Sequence, residues 1–240
     1  MSGTSLPRSS AGRLFVVATP IGNLEDLTFR ALKTLKSVEV IACEDTRHTL
    51  KLLNRYELKK KLISYFRPRE KEKIPQILAV LEKGGDVALV SDAGTPGISD
   101  PGFPLIREAL ARNIEVIPIP GVAAVTAALS AAGLPTHRFV FMGFPPVKRT
   151  AARKWLAPLE FEEGTAVIYL PPRKLLIFLD LIEEILGPRE VVVARELTKL
   201  HEEFARGTPE ELKTSFEGRA VKGEITLLVG GKKTRRRKSD

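Results

Sequence analysis

The chain is poor in the residues that most often announce a chemistry: one cysteine, three histidines, one tryptophan and two methionines in 240 residues. A lone Cys43 excludes an internal disulfide framework and any multi-cysteine metal site, which points to a reducing compartment, the cytoplasm. Within "VEVIAC" it reads as a small buried apolar residue. His48, His137 and His201 stand far apart in sequence and do not group as metal ligands. "HEEFA" at 201–205 opens like a zinc-protease helix but has Ala205 where the second histidine must stand. Long apolar runs are also missing. The most apolar helix candidate, "GVAAVTAALSAAGL", falls short of the roughly 20 residues of a membrane span. "MSGTSLPRSSAGR" lacks the apolar centre of a secretory signal, so residues 1–12 read as a disordered leader.

Familiar site motifs are absent too. There is no G-x-x-x-x-G-K-[ST] and no G-x-G-x-x-G; "TPIGNLEDLT", after the first strand-like run, has one glycine and a proline where a dinucleotide turn needs several glycines. A P-loop NTPase and a Rossmann dehydrogenase are thereby disfavoured. So is a serine hydrolase, because no G-x-S-x-G elbow occurs.

Apolar residues make up 43% of the chain, enough core for one large or two modest domains. The net charge is +9, but residues 232–240, "KKTRRRKSD", carry +5 of it, leaving +4 for the other 231 residues. That tail reads as a basic disordered end, a composition equally suited to solvent and to RNA phosphates.

Strand-like apolar runs recur at 14–18, 38–43, 62–65, 87–91 and 114–119, with helical patterns between them. Thr28 is placed to cap a helix carrying Phe29, Leu32 and Leu35 on one face. Apolar rather than alternating strands, interleaved with helices, predict a mostly parallel sheet covered on both sides. A second series follows, with strands at 138–143, 165–170, 190–196 and 224–230 and helices at 122–132, 149–159, 173–186 and 209–216. The prediction is an α/β protein of two α/β domains, 13–120 and 121–231, joined near Pro120 and Gly121.

In open α/β sheets ligands bind beyond the carboxyl ends of the strands, so the segments that directly follow strands are the candidate sites. They hold most of the unusual residues: "TPIGNLEDLT", "EDTRHT", "DAGTPGISDPG", "PGVAAV", "GFPPVKR" and "ELTK". Turn geometry alone accounts for Gly94, Pro96, Gly97, Pro101 and Gly102. It leaves Asp92, Thr95, Ser99 and Asp100 over, in a loop whose small residues give a ligand close backbone access. Asp100-Pro101-Gly102 reads as the turn that launches the next helix.

Taken together, "VVATPIGNLEDLT", "IACEDTRHT", "LVSDAGTPGISDPG", "IPGVAAVTAALSAAGLPTHRFVFMGF", "ARELTK" and "GEITLLV" resemble the motifs of the tetrapyrrole-methylase-like methyltransferases, in order, from about residue 14 to 231. "TPIGNL", "EDTRHT" and "SDAGTP" favour the branch that acts on small-subunit ribosomal RNA over the cobalamin-pathway branch. The resemblance implies a homodimeric class III methyltransferase with S-adenosylmethionine (SAM) held between two α/β domains. It also implies 2'-O-methylation of a cytidine ribose in the decoding region of 16S rRNA, within the 30S subunit. Position by position, it implies that Pro20, Gly22, Asp92, Ala93, Gly94, Thr95, Pro96, Ile98, Gly121, Val122, Ala123 and Ala124 approach the cofactor. Phe144, Ala194, Arg195, Glu196, Leu197, Gly223 and Glu224 would complete its adenosine side, and Asp45, Thr46 and Arg47 would face the substrate.

Methyl transfer from a sulfonium needs positioning more than covalent help, but the ribose hydroxyl must lose its proton. A carboxylate or a neutral lysine is expected, and Asp45, Glu196 and Lys199 are the candidates; Arg47 and Arg195 are equally ready to bind them in structural ion pairs. Lys148, Arg149, Arg153 and Lys154 supply positive charge for RNA phosphates, or a solvated helix face. No metal is expected. Against the family pattern, "FRPREKEK" (66–73) replaces a His- and Asn-rich segment, and Leu170 stands where a glutamate is expected. Two other readings of the same residues are a tetrapyrrole C-methyltransferase of the precorrin type and a non-catalytic RNA-binding protein that keeps the fold.

Overall fold

The structure, a computed structural model, describes residues 11–232. The leader expected over 1–12 and the tail over 232–240 lie outside those residues, except at their inner ends. There Gly12 is buried and its N–H donates to the Leu81 carbonyl at 2.7 Å, while the Lys232 N–H donates to Glu162 O at 2.7 Å. The chain divides into two compact units, Met1–Ala123 and Ala124–Asp240.

The first unit runs β1 (Leu14–Val17), α1 (Phe29–Ser37), β2 (Val40–Cys43), α2 (Thr46–Arg55), β3 (Lys61–Ser64), α3 (Glu70–Glu82), β4 (Val87–Val90), α4 (Phe103–Ala111) and β5 (Val116–Ile119). Its sheet has the order β3-β2-β4-β1-β5 and every pairing is parallel. The strand period of two sends alternate residues to opposite faces. Leu14, Val40, Ala42, Val87 and Leu89 pack under α3 and α4; Phe15, Val17, Ile41, Cys43, Ala88 and Val90 pack under α1 and α2. Continuous apolar strands are what two covered faces require, as the sequence predicts. Cys43 is fully buried, and burial pushes its thiol up to about 11.

The Thr28 cap forms, accepting from the Ala31 N–H at 3.1 Å, but the face it introduces differs from the expected one. Ala31, Thr34 and Leu35 are buried, whereas Phe29 at the first helical position is 94% exposed. The face turned to the sheet starts two positions on, at Ala31, and continues through Thr34 and Leu35.

The second unit runs α5 (Ala124–Ala132), β6 (Phe139–Gly143), α6 (Arg149–Leu156), β7 (Thr165–Leu170), α7 (Leu175–Leu186), β8 (Val191–Arg195), β9 (Glu203–Gly207), α8 (Pro209–Phe216) and β10 (Ile225–Val229). Its order is β6-β7-β10-β8-β9, and only β6 and β7 are parallel. A mostly parallel sheet therefore holds for the first unit and not for this one. The difference comes from β9, "EFARG", which no expected strand covers. Its hairpin with β8 reverses the chain, and its partly exposed residues, interrupted by Glu203 and Arg206, hide it from a search for apolar runs. The interior still has two sides. Ile168, Leu170, Val191, Val193, Ile225, Leu227 and Val229 pack against α6, α7 and α8. The small-residue helix α5 lies along β10 and β8, and Arg206 of β9 donates to its last carbonyls, Ala132 O at 3.1 Å and Ala131 O at 2.6 Å. Those carbonyls have no partner within the helix, so the guanidinium acts as a C-terminal cap.

Candidate cofactor and substrate sites

In the first unit, four strand exits place their loops on one edge because all the strands run the same way. After β1, Ala18, Thr19, Pro20 and Ile21 are buried and Gly22 is exposed. Thr19 and Gly94 form a two-way backbone bridge (Thr19 N–H to Gly94 O 2.8 Å, Gly94 N–H to Thr19 O 3.0 Å), and the Thr19 hydroxyl donates to Ser91 O at 3.0 Å. After β2, the Asp45 N–H donates to an Asp92 carboxylate oxygen at 3.0 Å. After β5, Gly121 approaches Ala18 so closely that an added Cβ would stand 3.0 Å from the Ala18 methyl. Pro20, Asp92, Ala93, Gly94 and Gly121 are thus brought together by bonds within the unit. Thr95 and Pro96 continue the loop, Ile98 is half exposed, and Val122 and Ala123 lead to Ala124, where α5 begins.

Carboxylates gather at this edge. Burial raises the Glu44 carboxyl above its ordinary value, with Asp92 and Asp100 adding to the rise and Arg67 opposing it. Burial also lifts Asp100 to about 6, with the Ser91 hydroxyl and Arg67 opposing and Asp92 reinforcing. The sequence assigns Asp100 a turn role alone and passes over Glu44, although Glu44 directly follows a strand. The rule that picked Asp45 applies to it equally.

Asp45 behaves differently from its neighbours. It caps α2, accepting from the Arg47 N–H at 2.8 Å, and the Arg47 guanidinium grips it at 3.2 and 2.8 Å. That grip holds its carboxyl down at about 2. A carboxylate so strongly held accepts a proton poorly. Thr46 opens the helix, and Arg47 keeps 87% of its side chain exposed despite the pair.

In the second unit, Glu196 and Thr198 have positive φ, 53° and 65°, and fold the "ELTK" segment back. The Glu196 N–H donates to Glu224 O, and Glu196 Oε1 accepts from the Glu224 N–H, both at 2.9 Å. Lys199 Nζ donates to Glu196 Oε1 and Glu224 Oε2, each at 2.9 Å. Burial works to lower Lys199, but these bonds outweigh it and raise it above its ordinary value. The neutral lysine considered from the sequence is therefore not what this geometry supplies: Lys199 is an ammonium ion between two carboxylates. Burial works to raise Glu196, and the bonds from Lys199 and the Glu224 N–H prevail and hold it ionised.

Arg195 is likewise engaged, donating to Glu203 at 2.9 Å and to Lys222 O at 3.2 Å. Ala194 and Leu197 are buried, and Gly223, at φ 88°, leaves room for the Glu196 carboxylate that a Cβ would strike. Phe144 is 60% exposed and leans on Tyr169, ring centroids 5.4 Å apart. Lys148 precedes α6, and on that helix Arg149 and Arg153 both pair with Glu184 of α7. Lys154 is exposed on the same helix. Leu170, where the resemblance leads one to expect a glutamate, points into the apolar core and is 2% exposed. Among the described residues no group of histidine, cysteine and acidic side chains could hold a metal ion.

The model of the tetrapyrrole (corrin/porphyrin) methylases matches residues 13–213. The chain belongs to the tetrapyrrole methylase family. This methylase is 48% identical over 221 residues to the ribosomal RNA small subunit methyltransferase I of Thermotoga maritima, covering 92% of the chain and 99% of that protein. It is 43% identical over 224 residues to the protein of the same name from Bacillus subtilis, covering 93% of the chain and 77% of that protein. Among solved structures, cobalt precorrin-4 methyltransferase superposes with a TM-score of 0.69 at 18% identity, over 94% of this methylase and 97% of that chain. A uroporphyrin-III C-methyltransferase from Thermus thermophilus, complexed with S-adenosylhomocysteine, superposes with a TM-score of 0.63 at 20% identity, over 91% and 97%. At those identities the structural likeness establishes the fold.

Proposed function

We propose that this methylase transfers a methyl group from SAM to a ribose 2'-hydroxyl of a cytidine in the decoding region of 16S rRNA. The observation that carries the reading is 48% identity along nearly the full length of a named small-subunit rRNA methyltransferase. The geometry of the first unit fits the cofactor. Glu44, Asp92 and Asp100 outnumber the one arginine that offsets them, and a ligand bearing a sulfonium and an ammonium relieves that surplus. SAM supplies an activated methyl with its leaving group attached, so holding and orienting it is most of the protein's task.

In this reading the Asp92–Pro96 wall, with Pro20, Gly22, Ile98 and Gly121–Ala124, contacts the amino-acid and ribose portions. Phe144, Ala194, Arg195, Leu197, Gly223 and Glu224 are assigned to the adenosine. Thr46 and Arg47 are assigned to the substrate, and Lys148, Arg149, Arg153 and Lys154 to RNA phosphates, which position a strand without reading it. Of the base candidates, Glu196 is ionised and Asp45 is ionised but very weakly basic. Glu196 is therefore the better acceptor for the hydroxyl proton, once substrate competes for Lys199. A homodimer acting on the 30S subunit in the cytoplasm belongs to the same reading. Among the described residues no helix is long and apolar enough to cross a membrane.

The test is incubation with methyl-labelled SAM and either naked small-subunit RNA or 30S particles, followed by nuclease digestion. Label in a 2'-O-methylcytidine is the expected result. A folded protein that labels neither substrate, or that labels a precorrin offered in their place, overturns the reading.

A further inference from the structure

Ser99 adopts φ 67°, the left-handed region, in a loop that also bends at Gly94 (79°), Gly97 (81°) and Gly102 (149°). Glycine enters that region freely, but a residue with a Cβ does so at a cost of about 1–2 kcal/mol, and keeps to it only where its surroundings hold it. Part of the holding is internal: the Gly97 N–H donates to Pro101 O at 3.1 Å and the Ile98 N–H to Thr95 O at 3.3 Å. The rest comes from the segment that follows β3. Arg67 Nη2 donates to the Ser99 carbonyl at 2.5 Å, and Glu70 Oε1 accepts from the Gly102 N–H at 3.1 Å. Arg67 lies in a 3-10 turn (Arg67–Arg69) and Glu70 begins α3, so one short segment grips the loop at two points three residues apart. Both bonds involve an ionised group and are stronger than neutral ones. Arg67 is also the cation that opposes the charge of Glu44 and Asp100.

We propose that Arg67 and Glu70 are positioning residues that clamp the Asp92–Gly102 loop in the shape that receives SAM, through the Ser99 carbonyl and the Gly102 N–H. The proposal rests on the reading of that loop as the cofactor wall. It gives a task to "FRPREKEK", the stretch that departs from the family pattern and that by composition alone would be a solvated charged run. The loop is then fixed from three strand exits: β1 through Thr19, β2 through Asp45 and β3 through this clamp.

Four full-length variants test it: Arg67→Ala, Arg67→Lys, Glu70→Gln, and Arg67→Ala combined with Ser99→Gly. SAM affinity is measured by calorimetry, loop opening by hydrogen exchange of the amides of residues 97–100 and 102, and turnover under saturating RNA. Arg67→Ala is expected to raise Kd and KM for SAM about tenfold, with kcat changed less than about threefold, and to speed loop exchange. Arg67→Lys recovers part of the affinity because an ammonium still donates to Ser99 O. Glu70→Gln has a smaller effect, since the amide oxygen still accepts. Ser99→Gly recovers part of the loss by removing the left-handed cost. Unchanged exchange and unchanged affinity in Arg67→Ala overturn the clamp. Because Arg67→Ala also removes the cation that opposes Glu44 and Asp100, the charge-conserving Arg67→Lys decides the second point: faster exchange with unchanged affinity in that variant supports the clamp and overturns the cofactor reading of the loop.

Discussion

At the carboxyl edge of the parallel sheet, Glu44, Asp92 and Asp100 are offset by one arginine, Arg67, and two of the three carboxyls are raised. In the second unit, Glu196 and Glu224 share Lys199, and Glu203 is bracketed by Arg195 and Arg219. There the carboxyls of Glu196 and Glu203 are held below their ordinary values. One acidic group is left electrostatically in debt and the other is balanced. Balance serves a structure that must hold a strained turn, as Glu196 and Thr198 do; a deficit of positive charge suits an edge that receives a cationic ligand.

The sharpest way to break the balanced side is Gly223→Ala. The new Cβ would strike the Glu196 carboxylate at a φ that disfavours side chains, so a loss of about 3 kcal/mol in unfolding free energy is expected from urea titration. Gly133→Ala, at φ 78° with open space around the Cβ position, is its control and should lose only about 1 kcal/mol.

On the unbalanced side, Asp92→Ala removes both a charge and the acceptor of the Asp45 N–H, and should weaken SAM binding at least about thirtyfold by calorimetry. Asp45→Ala should change it no more than about threefold, because Asp45 is already satisfied by Arg47. The reverse order would invert the assignment of cofactor and substrate ends.

Asp100→Asn probes the deficit itself. Its folded carboxyl, raised to about 6, lies above the unfolded value, so the native state binds the proton more tightly. The stability this confers is complete below the unfolded value, near 4, and is lost as pH rises to about 6 and beyond. Asparagine should therefore be more stable than aspartate at pH 7 by about 1–2 kcal/mol, allowing for screening, with a flatter dependence between about pH 4 and 6. Urea midpoints across that range decide it.

A small effect is expected of Lys199→Met, about 1 kcal/mol at pH 7 by thermal unfolding, because the pair is partly exposed. Glu196 is lowered on folding, so its contribution is present above the unfolded carboxylate value and fades as pH falls through the folded one. The difference between variant and parent should shrink on acidification.

The first unit was largely legible because its strands are buried on both faces and each is a contiguous apolar run, the strongest strand signal a single chain offers. Thr28 announced its helix for the same local reason: a hydroxyl that accepts from the third residue on. β9 was hidden because an edge strand with Glu203 and Arg206 among its residues has no apolar run to show. Phe29 misled because a helical pattern does not say which neighbour a leading-turn residue meets.

Of the candidate bases, their residue types and strand-end positions could be read directly, but their protonation could not. Asp45 and Lys199 each owe their charge state to partners, one two residues away and the other partly 25 residues away. Arg67 and Glu70 were invisible as site residues because their targets, the Ser99 carbonyl and the Gly102 N–H, lie 32 residues away and are backbone atoms, which no side-chain motif records.

By itself the sequence determined two α/β halves, the strand-end placement of the polar loops and, through its ordered motifs, the methylase family. These depend on local periodicity and on residue identity in order, which a linear chain carries in full. Tertiary structure alone decided which carboxylates are balanced and which are not. Charge state depends on burial and on distances between atoms far apart in the chain, and those exist only once the strands have paired.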